Sequence, residues 1–178
     1  MRQPVQRQAI EALMQGIGKA AQGPGAVYLV GGACSVLMGW RETTVDIDLA
    51  LAPEPPGLFG SLAALKESLG LNIELASPGQ FVPPLPGWQG RSPYLLRVGL
   101  VDFYHYDFYS QAFAKLSRDH DRDKIDVAAM VKYAKIEPQR LMAYVTEVMP
   151  EMARYPHLDS KVLVDRIRAW AKSTSTGE

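Results

Sequence analysis

Cysteine is nearly absent from this chain. Cys34 is the only one in 178 residues, which excludes an internal disulfide framework and every multi-cysteine zinc site. Histidine is almost as scarce, and His105, His120 and His157 are too widely spaced to suggest a histidine-rich metal centre. A charge excess is missing too: 19 basic residues balance 19 acidic ones, so RNA binding would need a local basic groove. No uninterrupted apolar run approaches the roughly 18 residues of a membrane-spanning helix, so no membrane partner is expected. The opening residues, Met1 to Leu13, carry no long apolar run behind their basic residues. A secretory signal is therefore not expected, and the expected location is the cytoplasm. What is present is a folding composition, 47% hydrophobic and 21% charged. A chain of this length buries about 70% of its unfolded surface and needs no disulfide or structural metal to hold a core.

Ile10, Leu13, Met14 and Ile17 recur at helical spacing and predict an amphipathic helix over 5–20, ended by Gly23-Pro24-Gly25. The apolar run 26–30, bounded by glycines, predicts a buried strand, and 33–40 a short helix. Residues 45–51 alternate, with Asp46 and Asp48 on one strand face and Val45, Ile47 and Leu49 on the other. A proline-rich break leads to a helix over 58–69 and a third strand over 72–76. Residues 81–93 are rich in proline and glycine and predict a long shaped loop that presents Trp88 and Arg91. Residues 94–98 and 100–104 predict a hairpin around Gly99. Helices are expected at 109–116, 122–135, 138–148 and 159–171, with Pro138 in a first turn and Asp159 as an N-cap. The fold class is α/β (α+β), a small mixed sheet followed by a helical C-terminal region. The expected division is a core with its N-terminal helix at 1–108, a helical region at 109–172 and a flexible tail at 173–178.

Asp46-Ile47-Asp48 is the most informative motif. Two carboxylates one residue apart on a strand project together and repel each other unless a cation or hydrogen-bond donors compensate. Magnesium suits them, because it is hard and prefers carboxylate and phosphate oxygens; manganese is the alternative. Gly31-Gly32 follows the first strand, and Ser35 lies near the start of the next helix. Glycines there permit close approach of a phosphate to backbone amides. The spacing is neither that of a Walker loop nor that of a dinucleotide fingerprint. Glu74, inside the apolar strand Ile73-Glu74-Leu75, needs an ion, a partner or solvent. Beside Asp46 and Asp48 it completes a three-carboxylate site.

Val30-Gly31-Gly32, then Val45-Asp46-Ile47-Asp48, then Ile73-Glu74-Leu75 resembles the polymerase-beta-like nucleotidyltransferase superfamily. The similarity is to its small bacterial branch of AbiEii-type toxins, minimal nucleotidyltransferases and DUF6036-type proteins. It spans about Val27 to Ala76, and the stretch from Trp88 through Lys115 to Asp126 is similar less specifically. The resemblance implies that Gly31, Gly32 and Ser35 contact a nucleoside triphosphate and that Asp46, Asp48 and Glu74 serve the metals. Gly31-Gly32 departs from the glycine-serine common in the superfamily. The implied reaction is attack of an acceptor hydroxyl on the alpha-phosphorus, with loss of pyrophosphate. A tRNA end or a protein hydroxyl fits as acceptor, and the toxin relatives imply a partner antitoxin.

Arg41 and Lys115 are candidates for phosphate contacts; their ordinary roles are a solvent-facing charge and helix electrostatics. Arg91, Lys115, Arg118 and Arg122 are candidates for a local basic groove, with Trp88 as a stacking surface. The run from Arg118 to Lys124 otherwise reads as a helix start with a solvated face, and Trp88 as a staple for its loop. The aromatics from Tyr104 to Tyr109 either stack on a base or pack the sheet. Cys34 reads as a small buried helix residue. Two rival functions stand beside nucleotidyl transfer: an inactive binding or regulatory module on the same scaffold, and a metal-dependent phosphohydrolase, which pyrophosphate release distinguishes.

Overall fold

The computed structural model describes residues 3–175. The chain forms two compact units, one built from Met1–Ser77 and Ser92–Tyr106, the other from Pro78–Arg91 and Asp107–Glu178.

The first unit is a five-stranded mixed sheet with helices. Its strands are β1 (Gly25–Val30), β2 (Asp46–Leu51), β3 (Asn72–Leu75), β4 (Tyr94–Val98) and β5 (Val101–His105), in the order β3-β2-β1-β5-β4. The pairs β1–β5 and β2–β3 are parallel, and β1–β2 and β4–β5 are antiparallel. Alternation makes the two faces different. Val27, Leu29, Ile47, Leu49, Ile73 and Phe103 form a buried apolar face. The buried stripe Ile10, Leu13, Met14 and Ile17 belongs to α1 (Arg7–Ala20), which lies against β4, β5 and α3 (Leu58–Leu69). Approach to the hairpin is close: a Cβ on Gly18 of α1 would come within 2.7 Å of the Val98 carbonyl oxygen. The hairpin turns at Gly99, whose φ of 59° suits glycine. The other face is polar and aromatic, with Asp46, Asp48, Asn72, Glu74 and a stacked Tyr28–Tyr104 pair at 5.0 Å.

The second unit is helical: α4 (Trp88–Arg91), α5 (Phe108–Arg118), α6 (Asp121–Lys132), α7 (Pro138–Val148) and α8 (Ser160–Ser175). Leu85, Phe113, Leu141, Val145 and Ile167 are among its deepest side chains. Pro138 occupies the first turn of α7, and Asp159 caps α8 by accepting from Val162 N at 3.0 Å. The segment expected as an irregular loop contains one 3-10 turn (Pro78–Gln80) and the single helical turn α4, with Val82 and Leu85 buried. The last helix continues past Ala171 to Ser175; residues 176–178 of the expected tail lie outside the described residues. Among the described residues, no helix is long and apolar enough to cross a membrane.

Asp107 holds the start of α5. Its carboxylate accepts from Tyr109 N and Ser110 N, both at 3.3 Å, and from Ser110 Oγ at 2.7 Å. Arg91, at the end of α4, reaches the same carboxylate with Nε at 3.2 Å and Nη2 at 2.8 Å. One acid thus serves as helix cap and as anchor of the proline-rich segment. Asp107→Ala should lower stability by about 2 kcal/mol, from a lost cap and an orphaned guanidinium. Urea denaturation measures this, and an unchanged midpoint would deprive the cap of energetic weight.

Candidate active site

Three adjacent strands position the acidic candidates. Pairing of β1 with β2 puts Val30 opposite Asp48, and pairing of β2 with β3 puts Asp46 opposite Asn72 and Asp48 opposite Glu74. Side chains opposite one another share a sheet face, so all four polar groups project from the same side. Their carboxylates are nonetheless not drawn to one point. Asp46 Oδ1 accepts from Asn72 Nδ2 at 2.6 Å, toward β3, and the same nitrogen donates to Glu74 Oε1 at 3.1 Å. Asp48 Oδ2 lies on the β1 side, where a Cβ on Gly31 would come within 3.3 Å of it. Among the described residues, no group of three or more Asp, Glu, His or Cys side chains is gathered tightly enough to hold a metal ion. The register of a three-carboxylate site is present, with an amide between two of its acids. Asp46 and Asp48 still fit magnesium by the chemistry of their donors. That ion is commonly held by one or two carboxylates, with water and substrate phosphate completing its shell.

The glycine turn lies next to Asp48. Gly31, at φ 59° and ψ −125°, adopts a backbone conformation that a side chain would strain. Gly32 opens the short helix α2 (Gly32–Leu37). A Cβ on Gly32 would fall on the Thr44 hydroxyl and come within 2.9 Å of Thr44 Cβ. Thr44 is fixed in that position. Its backbone exchanges hydrogen bonds of 2.7 and 2.9 Å with Val5, and its hydroxyl donates to the Asp46 carbonyl at 3.1 Å. Ser35, by contrast, is 1% exposed, and its hydroxyl is directed to the Gly31 carbonyl at 3.4 Å. Arg41 is half-buried just beyond α2, where its backbone N–H and that of Trp40 donate to the Ser35 carbonyl. Cys34 is buried, with Sγ 2.8 Å from the Leu29 carbonyl.

A family model described as a nucleotidyltransferase of unknown function (DUF6036) matches residues 8–175. The chain belongs to this family. Neither a curated protein nor a solved structure matches it.

The remaining candidates of this nucleotidyltransferase-family chain lie in its second unit. Lys115 is 6% exposed, and its Nζ donates to Asp126 Oδ2 at 2.6 Å and Asp123 Oδ1 at 3.1 Å. Arg118 binds Asp123 through Nε at 3.1 Å and Nη2 at 3.0 Å, with its guanidinium 5.1 Å from the Phe81 ring centre. Arg91 is held by Asp107 and the Pro86 carbonyl and stacks 4.4 Å from the Tyr144 ring centre. Trp88, which opens α4, is half-buried, and Arg122 is exposed on α6. Lys115, Arg118 and Arg91 therefore meet carboxylates of their own unit. Sequence reasoning missed Asn72 and Thr44. The signal for Asn72 was available: Asn72-Ile73-Glu74 repeats the alternation of Asp46-Ile47-Asp48 on the next strand.

Burial works against the charge on Asp123, but bonds from Arg118 and Lys115 outweigh it and hold the carboxyl below its ordinary value of 3.8. A depressed folded value means that the stabilisation is full above the ordinary value and is lost as pH falls through the folded one. Asp123→Asn should therefore be less stable at neutral pH and should lose less further stability below about pH 4 than the parent chain. Urea denaturation across that range tests it; parallel acid slopes would rule out this contribution.

Proposed function

We propose that the chain is a magnesium-dependent nucleotidyltransferase that moves a nucleotide from a nucleoside triphosphate to a hydroxyl of RNA, with a tRNA end as the first acceptor to test. The observation that carries this reading is Asp46 and Asp48 on one sheet face beside the Gly31-Gly32 turn, in a chain that belongs to a nucleotidyltransferase family. Glycine at 31 leaves the backbone bare on the side facing Asp48, which suits the approach of a triphosphate. Asp46 and Asp48 would hold the metal through carboxylate oxygens. Magnesium, when bound, supplies positive charge for the attacking and leaving oxygens. The acceptor oxygen attacks the alpha-phosphorus; a new P–O ester bond forms, the bond to pyrophosphate breaks, and pyrophosphate departs with the electron pair. Glu74, exposed on the same face, takes the hydroxyl proton. A protein hydroxyl is the alternative acceptor, and a toxin role with a neutralising antitoxin is the biological setting that the resemblance suggests.

A non-catalytic binding module is the second reading, favoured by the hold of Asn72 on Asp46 and Glu74. Labelled ribonucleoside triphosphates with magnesium and total tRNA or cell protein separate the two. Asp46→Asn should remove a metal ligand without changing volume, abolishing the labelled adduct while the melting temperature stays close to that of the parent. Turnover that survives this substitution would take Asp46 out of the chemistry. Triphosphate binding with no adduct from any acceptor would favour the binding module.

A further inference from the structure

The amide of Asn72 occupies the space between two of the carboxylates that a cation would bring together. Its register opposite Asp46 and its alternation with Glu74 put it on the polar face between them. The NH2 group has two protons, and it donates to Asp46 Oδ1 at 2.6 Å and to Glu74 Oε1 at 3.1 Å. In that position one neutral donor satisfies an oxygen of each of two nearby acids without a metal. It also blocks a metal, because the carboxylate oxygens it holds point at a nitrogen that cannot ligate while it carries both protons. The other end of the same group is a carbonyl oxygen, a hard ligand of the kind that magnesium and manganese accept. Oδ1 and Nδ2 are nearly identical in shape, so a half turn about Cβ–Cγ exchanges them without repacking the strand.

We propose that Asn72 is a ligand of the cation at this site. Without a cation its amino group clasps Asp46 and Glu74; with one, the side chain turns and presents Oδ1 to the ion alongside Asp46. The inference rests on the reading of Asp46 and Asp48 as metal-binding residues. The lean of Asp46 toward β3 and of Asp48 toward Gly31 gives it direction, since an ion held by Asp46 meets Asn72 before it meets the glycine turn.

Mn2+ titration of the full chain, followed through the electron paramagnetic resonance signal of the free ion, tests it without requiring activity. Asn72→Leu keeps the branched heavy-atom shape but has neither donor nor acceptor, and its Mn2+ affinity should fall by about tenfold or more. Asn72→Asp keeps an oxygen at the same place and should retain or tighten Mn2+ binding. Opposite responses of these two variants, each folded by its melting curve, are the expected result. Asn72→Leu binding as tightly as the parent would overturn the proposal, as would equal weakening in both variants, which marks a merely structural residue. Asp46→Asn discriminates the underlying reading: Mn2+ binding that ignores this substitution, or a parent chain that binds no Mn2+, removes the metal site and the Asn72 proposal together. Parent binding that depends on Asp46 but not on Asn72 removes only the second.

Discussion

Strand β2 is the constraint on which the first unit depends. It is paired on both sides, so its alternation cannot slip: a shift of one residue would send Asp46 and Asp48 into the apolar layer and turn Ile47 and Leu49 out to the polar face. The hydrophobic preference of Ile47, Leu49 and Ile73 therefore sets the position of the carboxylates. Core packing and site geometry are the two faces of one register.

The second unit handles charge in the opposite way. The first unit leaves like charges side by side and places an amide between two of them; the second buries Lys115 between Asp123 and Asp126 and adds Arg118 to the same acid. Buried ion pairs of this kind gain little net stability over an apolar core, but removing one partner leaves a costly unpaired charge. Arg91 and Asp107 repeat the pattern at the start of α5. Lys115, Arg118 and Arg91 are therefore committed to neighbouring acids, whereas Arg122 is exposed on α6.

The periodic elements were legible in advance. Helices α1, α3 and α7 and strands β1 to β3 follow from apolar spacing and from Gly and Pro boundaries, because a buried face writes its period into the chain. The Asp46-x-Asp48 pair was legible for the same reason. The short turns in the proline-rich segment were not, since a single helical turn has no period to detect and is held by contacts such as Arg91 with Asp107. Nor were the partners of the candidate residues. Asn72 clasps Asp46 across a strand pair 26 residues apart, and Lys115 finds its acids a helix away. Such bonds depend on register and helix packing, which one sequence does not display. The inward turn of the Ser35 hydroxyl was likewise invisible, because the residue type is the same whichever way it faces.

The contact between Gly32 and Thr44 ties two positions into one choice. Residue 32 can carry a side chain only if residue 44 gives up its own or the strand entering β2 moves away, since the Thr44 Cβ as well as its hydroxyl stands in the way; such a movement would loosen the backbone pairing of Thr44 with Val5. Among relatives of this chain the two positions should accordingly vary together: small at one, larger at the other, and seldom bulky at both.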